Sequence, residues 1–79
     1  MNILYDGDNK QLHDALKAYL HENGILEQDI CNTLGKTRQN LSTIFNRMNH
    51  GDDVGLYTLY RLAKGMDCDL YFTFVPKNK

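Results

Sequence analysis

Apolar residues in the first third of the chain recur at helical spacing. Leu12, Ala15, Leu16, Tyr19 and Leu20 fall at i, i+3, i+4, i+7 and i+8, one stripe of a helix running from about Asn9 to Asn23. Asp8 stands where an N-cap is needed and Gln11 completes a capping-box pattern, while Gly24 suits a left-handed C-terminal cap. His13, Asp14, Lys17 and His21 then fall on the water-facing side. The pattern next shortens. Ile30, Cys31 and Leu34 form the inner face of a helix that opens at Ile25 or Leu26 and ends at Gly35, too short to persist without packing. Thr37 offers a hydroxyl at the following N-cap, and Leu41, Ile44, Phe45 and Met48 resume the helical spacing. Gly35 to Thr37 is therefore a tight turn between two short amphipathic helices, a helix-turn-helix arrangement.

Beyond the polar loop His50-Gly51-Asp52-Asp53 the pattern predicts a further helix with Leu56, Leu59, Tyr60, Leu62, Ala63 and Met66 as its inner face. Then the period changes to two. Leu70, Phe72 and Phe74 alternate with Tyr71, Thr73 and Val75 until Pro76, which predicts a β-strand over Asp69–Val75. Its Leu70, Phe72 and Phe74 face is expected to pack on the first and last helices. Ile3-Leu4-Tyr5 is either a second short strand, able to pair with that tail inside one chain, or a segment tucked under the first helix. The expected fold is mainly α, a small bundle of four to five helices, with residues 8–67 helical and 69–75 a C-terminal strand.

Composition bounds this picture more than it changes it. Seventy-nine residues allow one domain, and 42% hydrophobic residues with a single proline are ordinary for a globular chain. No apolar run approaches the ~18 residues that span a bilayer, and the N-terminus lacks a signal-peptide pattern, so the cytoplasm is the expected compartment. Cys31 and Cys68 form no CxxC pair and no histidine stands at zinc-ligand spacing, so both read as reduced thiols serving as small hydrophobes. His13, His21 and His50 read as surface residues, and no metal or cofactor is expected. Asp6-Gly7-Asp8-Asn9-Lys10 lacks the ligand pattern and terminal Glu of a calcium loop. With no glycine-rich phosphate loop and no nucleophile elbow, an enzyme is not expected.

Charge adds one thing. The net charge is −1, yet no acid falls between Ile30 and Gly51, a stretch that contains Lys36, Arg38, Arg47 and His50. The local field is what a phosphate backbone meets, because salt screens charge over ~8 Å.

These residues together resemble the Cro/repressor (XRE-type, lambda-repressor-like) helix-turn-helix family of bacterial and phage transcriptional regulators. The resemblance covers roughly residues 10–68. It is carried by Ile30-Cys31, Leu34-Gly35, Thr37-Arg38-Gln39-Asn40-Leu41-Ser42 and the run Leu56-Tyr57-Thr58-Leu59-Tyr60-Arg61-Leu62-Ala63 in that order. Four positions depart from the family. Cys31 stands for a usual Ala, Leu26 for a Ser/Thr cap, and Glu27 for a Gln that often bonds a phosphate. Phe45 replaces a frequent Glu, and Gly51 comes about one turn late, so the third helix extends to near Asn49.

The resemblance implies a sequence-specific double-stranded DNA-binding regulator, a repressor, with its recognition helix starting at about Thr37. With Leu41, Ile44, Phe45 and Met48 inward, Arg38, Gln39, Ser42, Thr43 and Asn46 face outward, and Arg, Gln and Thr suit guanine, adenine and the thymine methyl. By resemblance Arg38, Gln39 and Thr43 match the principal base-reading positions, with Asn40 and Ser42 as further candidates. Lys36, Thr37, Asn46 and Arg47 are the candidate phosphate contacts. In Cro-like relatives a C-terminal strand joins two subunits. Leu70, Tyr71, Phe72, Thr73, Phe74 and Val75 are thus the expected interface of a homodimer that reads a near-palindromic site. Two alternatives stay open. The polar quartet also suits a plain solvated helix face. Glu27 and the negative net charge also fit a protein-binding module on the same fold (an antirepressor, an antitoxin or a mobile-element inhibitor) whose partner is a toxin or another regulator.

Overall fold

Four helices follow one another along the chain: α1 (Asn9–Glu22), α2 (Glu27–Leu34), α3 (Arg38–Asn49) and α4 (Leu56–Gly65). The structure, a computed structural model, describes residues 1–78. It is a small helical bundle, and no strand occurs among the described residues. Its helix ends are set by local chemistry. Asp8 Oδ1 accepts the Lys10 N–H at 2.9 Å at the start of α1. The expected capping box with Gln11 does not form, because the Asp8 N–H is already donated to Asp6 Oδ1 at 2.9 Å. Gln11 turns instead to the N-terminal arm, donating to the Leu4 carbonyl at 2.8 Å and accepting the Asp6 N–H at 3.2 Å. Leu26 cannot cap α2, but Asp29 reaches back to accept its N–H at 3.2 Å. Gly35 closes α2 at φ 65°, a left-handed conformation that a side chain would strain. Thr37 Oγ1 accepts the Asn40 N–H at 3.1 Å and starts α3.

The core gathers the stripe predicted from spacing. Leu16, Leu20, Ile30, Cys31, Leu41, Phe45, Met48 and Leu62 are buried together with Val54. Full burial of an Ile, Leu or Met side chain contributes about 1.5–3 kcal/mol, and Ile30, Leu41 and Met48 are the largest wholly buried ones. α1 packs on α3, while α2 packs on both α3 and α4. A buried Asn9 ties the layers at one end: it donates to the Asp52 carbonyl at 2.6 Å and accepts the Tyr5 hydroxyl.

Several expectations are corrected by this packing. Leu56 and Tyr60 are exposed rather than inward. The cause is Gly65, which faces α2 so closely that an added Cβ would lie 2.6 Å from Ile30 Cγ2. That approach fixes the rotation of α4 with Leu59, Leu62, Ala63 and Met66 inward, and turns Leu56 and Tyr60 to the rim. His13 and Lys17 do not simply face water. The His13 ring stands edge-on to Phe45 at 6.1 Å between centroids, and the Lys17 ammonium lies 4.4 Å from the centre of the same ring.

The expected strands are absent. Residues 69–78 have no regular structure, and Phe74 is 99% exposed instead of packing on α1 and α4. Ile3–Tyr5 is not a strand either, its Leu4 carbonyl being held by Gln11. A strand needs a neighbour for its N–H and C=O groups, and the single chain supplies none. Consequently the tail projects. The radius of gyration is 13.0 Å, against about 11.6 Å for a compact chain of this length, and the long axis of 46 Å is twice the others.

Between α1 and α4, whose backbones stay more than 8 Å apart, lies a groove of about 230 Å³. Leu12, Leu16 and Tyr19 line one wall, Leu59, Leu62 and Met66 the other, and Met1 with Leu70 and Tyr71 border it. Cys68 Sγ sits 3.3 Å from the Tyr19 hydroxyl there, a contact that raises the Tyr19 pKa. Both cysteines are free thiols, Cys31 buried and Cys68 half-buried. No helix among the described residues is long and apolar enough to cross a membrane.

Candidate nucleic-acid interface

The α2–turn–α3 unit places the predicted site residues on one helix. At 3.6 residues per turn each residue advances about 100°. With Leu41, Phe45 and Met48 buried and Ile44 half-buried, the opposite meridian of α3 falls on Gln39, Ser42, Thr43 and Asn46. Arg38 and Asn40 sit on its two flanks. All six are exposed, and no acid lies on the helix.

Their hydrogen bonds separate the six further. Among the described residues the side chains of Arg38, Gln39, Ser42 and Asn46 make no hydrogen bond or ion pair within the protein, so their donors and acceptors are open to a ligand. Thr43 Oγ1 donates to the Gln39 carbonyl at 3.0 Å, which fixes its rotamer and turns its methyl away from that bond. Asn40 is less free. Its Oδ1 accepts the Thr37 hydroxyl at 2.8 Å, so its side chain belongs to the cap and only its amide NH₂ remains available. Thr37 spends its hydroxyl on that cap.

The phosphate candidates are less uniform. Lys36, half-buried in the turn, donates its backbone N–H to the Cys31 carbonyl at 3.0 Å and has no ion pair among the described residues. Arg47 lies nine residues from Arg38, about 13 Å along the axis. Its Nη2 donates to the Asp53 carbonyl at 2.8 Å, so part of its guanidinium brackets the loop into α4. The dimer candidates Leu70, Tyr71, Phe72, Thr73, Phe74 and Val75 are exposed, and they stand apart from α3 along the groove and projecting tail.

Three polar or charged contacts were not anticipated from the sequence. Lys17 Nζ pairs with Glu27 Oε2 at 2.9 Å, joining α1 to the first residue of α2. Arg61 on α4 donates to the Leu34 carbonyl at 3.3 Å, serving the C-terminal end of α2. His13, followed by Lys10, holds the Asp14 carboxyl below its ordinary 3.8. Each spans a turn or stands on a face with no periodicity to mark it, apart from the i,i+4 pair of Lys10 and Asp14. No group of three or more His, Cys, Asp or Glu side chains among the described residues is placed to hold a metal ion.

The arrangement defines a small helical bundle with one acid-free polar helix face. No family model, no curated protein and no solved structure matches the chain.

Proposed function

We propose that the chain is a sequence-specific double-stranded DNA-binding regulator of the Cro/repressor, lambda-repressor-like type, acting as a cytoplasmic repressor through α3. One observation carries the reading. The meridian of α3 opposite the core is wholly polar and free of acids, and the Arg38, Gln39, Ser42 and Asn46 side chains on or beside it are uncommitted. A helix of this kind, started by a side-chain cap and fixed by a left-handed glycine turn, suits insertion into the major groove. Arg38 and Gln39 match guanine and adenine edges, and the Thr43 methyl a thymine methyl. Lys36 and Asn46 are the proposed phosphate contacts, and Arg47 keeps donors to spare for one.

The same reading takes the protein as a homodimer. Leu70, Tyr71, Phe72, Phe74 and Val75 are exposed on a segment with no charge between Asp69 and Lys77, a segment that invites pairing with its copy. The partner's tail supplies the hydrogen-bonding neighbour that one chain lacks, and two-fold symmetry suits a near-palindromic operator.

Gel-shift titration on DNA from the gene's own promoter tests the reading. Arg38→Ala and Gln39→Ala should each weaken binding by about 1–3 kcal/mol and relax specificity at one base position. Absence of binding to any promoter fragment at low salt rejects it. The second reading, a protein-binding module without DNA, is favoured by the exposed Leu56, Tyr57 and Tyr60 on α4. It predicts that no-binding result.

A further inference from the structure

The Lys17–Glu27 pair borders a cleft of about 380 Å³ that His21, Gln28 and Arg38 also line. Glu27 is the one acid among its lining residues, and Lys17 compensates it. Both side chains keep partial access to water, 39% for Lys17 and 28% for Glu27. The Lys17 ammonium also lies 4.4 Å from the centre of the Phe45 ring, so its charged tip is shared between a carboxylate and an aromatic face. Arg38 belongs both to this cleft and to the flank of the polar face of α3. A duplex lying against Gln39 and Thr43 therefore carries a line of phosphates past the mouth of the cleft.

We propose that Lys17 is a latent phosphate ligand: the free protein holds it on Glu27, and a DNA phosphate arriving beside Arg38 takes it over. Glu27 thereby acts as a brake on affinity. The proposal rests on the DNA-binding reading of α3. The exchange is feasible because a partly exposed Lys–carboxylate pair is weak, whereas neutralising a DNA phosphate releases condensed counterions. The brake arises because binding breaks one ion pair and leaves a carboxylate without its partner close to the phosphate.

Fluorescence anisotropy of the full chain on a random-sequence duplex of about 20 base pairs, repeated over a salt series, tests this without knowledge of the operator. Glu27→Gln should bind about five- to tenfold tighter at a nearly unchanged slope of log K against log salt, because Lys17 meets the phosphate in both. Lys17→Met should instead flatten the slope by about one, the signature of one lost phosphate contact. In a Lys17→Met background, which removes the charge but keeps a long unbranched side chain, Glu27→Gln should gain only about twofold with an unchanged slope, because only direct repulsion is relieved. Equal gains in both backgrounds overturn the exchange, since charges that keep their partners act additively. Glu22→Gln makes the same charge change at the exposed end of α1. A gain there as large as that of Glu27→Gln also overturns it. Binding by the wild type that ignores Glu27→Gln overturns the exchange and leaves the DNA reading in place. Failure of both wild type and Glu27→Gln to bind at low salt removes the DNA reading with it.

Discussion

The face of α3 and the side of the molecule formed by α4 and the tail are finished in different ways. On α3 every exposed side chain is polar, and the helix satisfies its backbone internally with Thr37 serving the first turn. On the other side Leu56, Tyr57 and Tyr60 stand exposed on α4, and Leu70 to Val75 run out from the groove with no strand partner. The difference is one of closure. A helix closes its own hydrogen bonds, whereas an extended apolar segment must be closed by another surface. The α2–turn–α3 unit is thus complete in one chain, and the tail is not.

The largest test of that contrast sets two apolar residues against each other. Ile30 is wholly buried, and Ile30→Ala should cost about 2–5 kcal/mol in urea unfolding. Phe74 is almost wholly exposed, and Phe74→Ala should leave the unfolding of the monomer within about 0.5 kcal/mol. Sedimentation should instead show it loosening the proposed dimer. A large loss of monomer stability from Phe74→Ala would mean the tail is closed by its own chain, and the contrast would collapse.

Gly65→Ala comes next. Its new methyl would meet Ile30 and Leu34, and repacking that contact should cost about 1–3 kcal/mol. Thermal melting checks it, and an unchanged melting temperature would show that the α2–α4 contact yields easily. A smaller loss, about 1 kcal/mol, is expected for Thr37→Ala, with Thr37→Ser restoring most of it. Smallest is the effect of Asp14, which is exposed. Its carboxyl binds its proton more weakly folded than unfolded, so its contribution is present above about pH 3.8 and is lost as pH falls through the lowered folded value. The melting difference between wild type and Asp14→Asn should fade in that window, and a difference that persists below it would assign the contribution to something other than charge.

How much of this could be read from the chain divides along the same line as the two regions. The spans of α1, α2 and α3 were legible because spacing, the caps Asp8 and Thr37, and the turns at Gly24 and Gly35 are requirements met within a few residues. The polar meridian of α3 followed from the same spacing, since assigning Leu41, Phe45 and Met48 inward leaves Gln39, Ser42 and Thr43 outward. The rim position of Leu56 and Tyr60 was not legible. It depends on how closely Gly65 lets α4 approach Ile30, and no periodicity within α4 encodes that distance.

What the sequence by itself determined is therefore the helices, their ends, the core stripe and the acid-free stretch from Ile30 to Gly51. Only the tertiary structure decided that Lys17 meets Glu27, that His13 leans on Phe45, that Arg47 is partly engaged by Asp53, and that the alternating tail stays unpaired. The physical reason is range. Caps and amphipathic stripes are satisfied by neighbours along the chain, so composition and spacing specify them. Ion pairs between elements and strand pairing are satisfied by neighbours in space, and those exist only once the packing has been fixed.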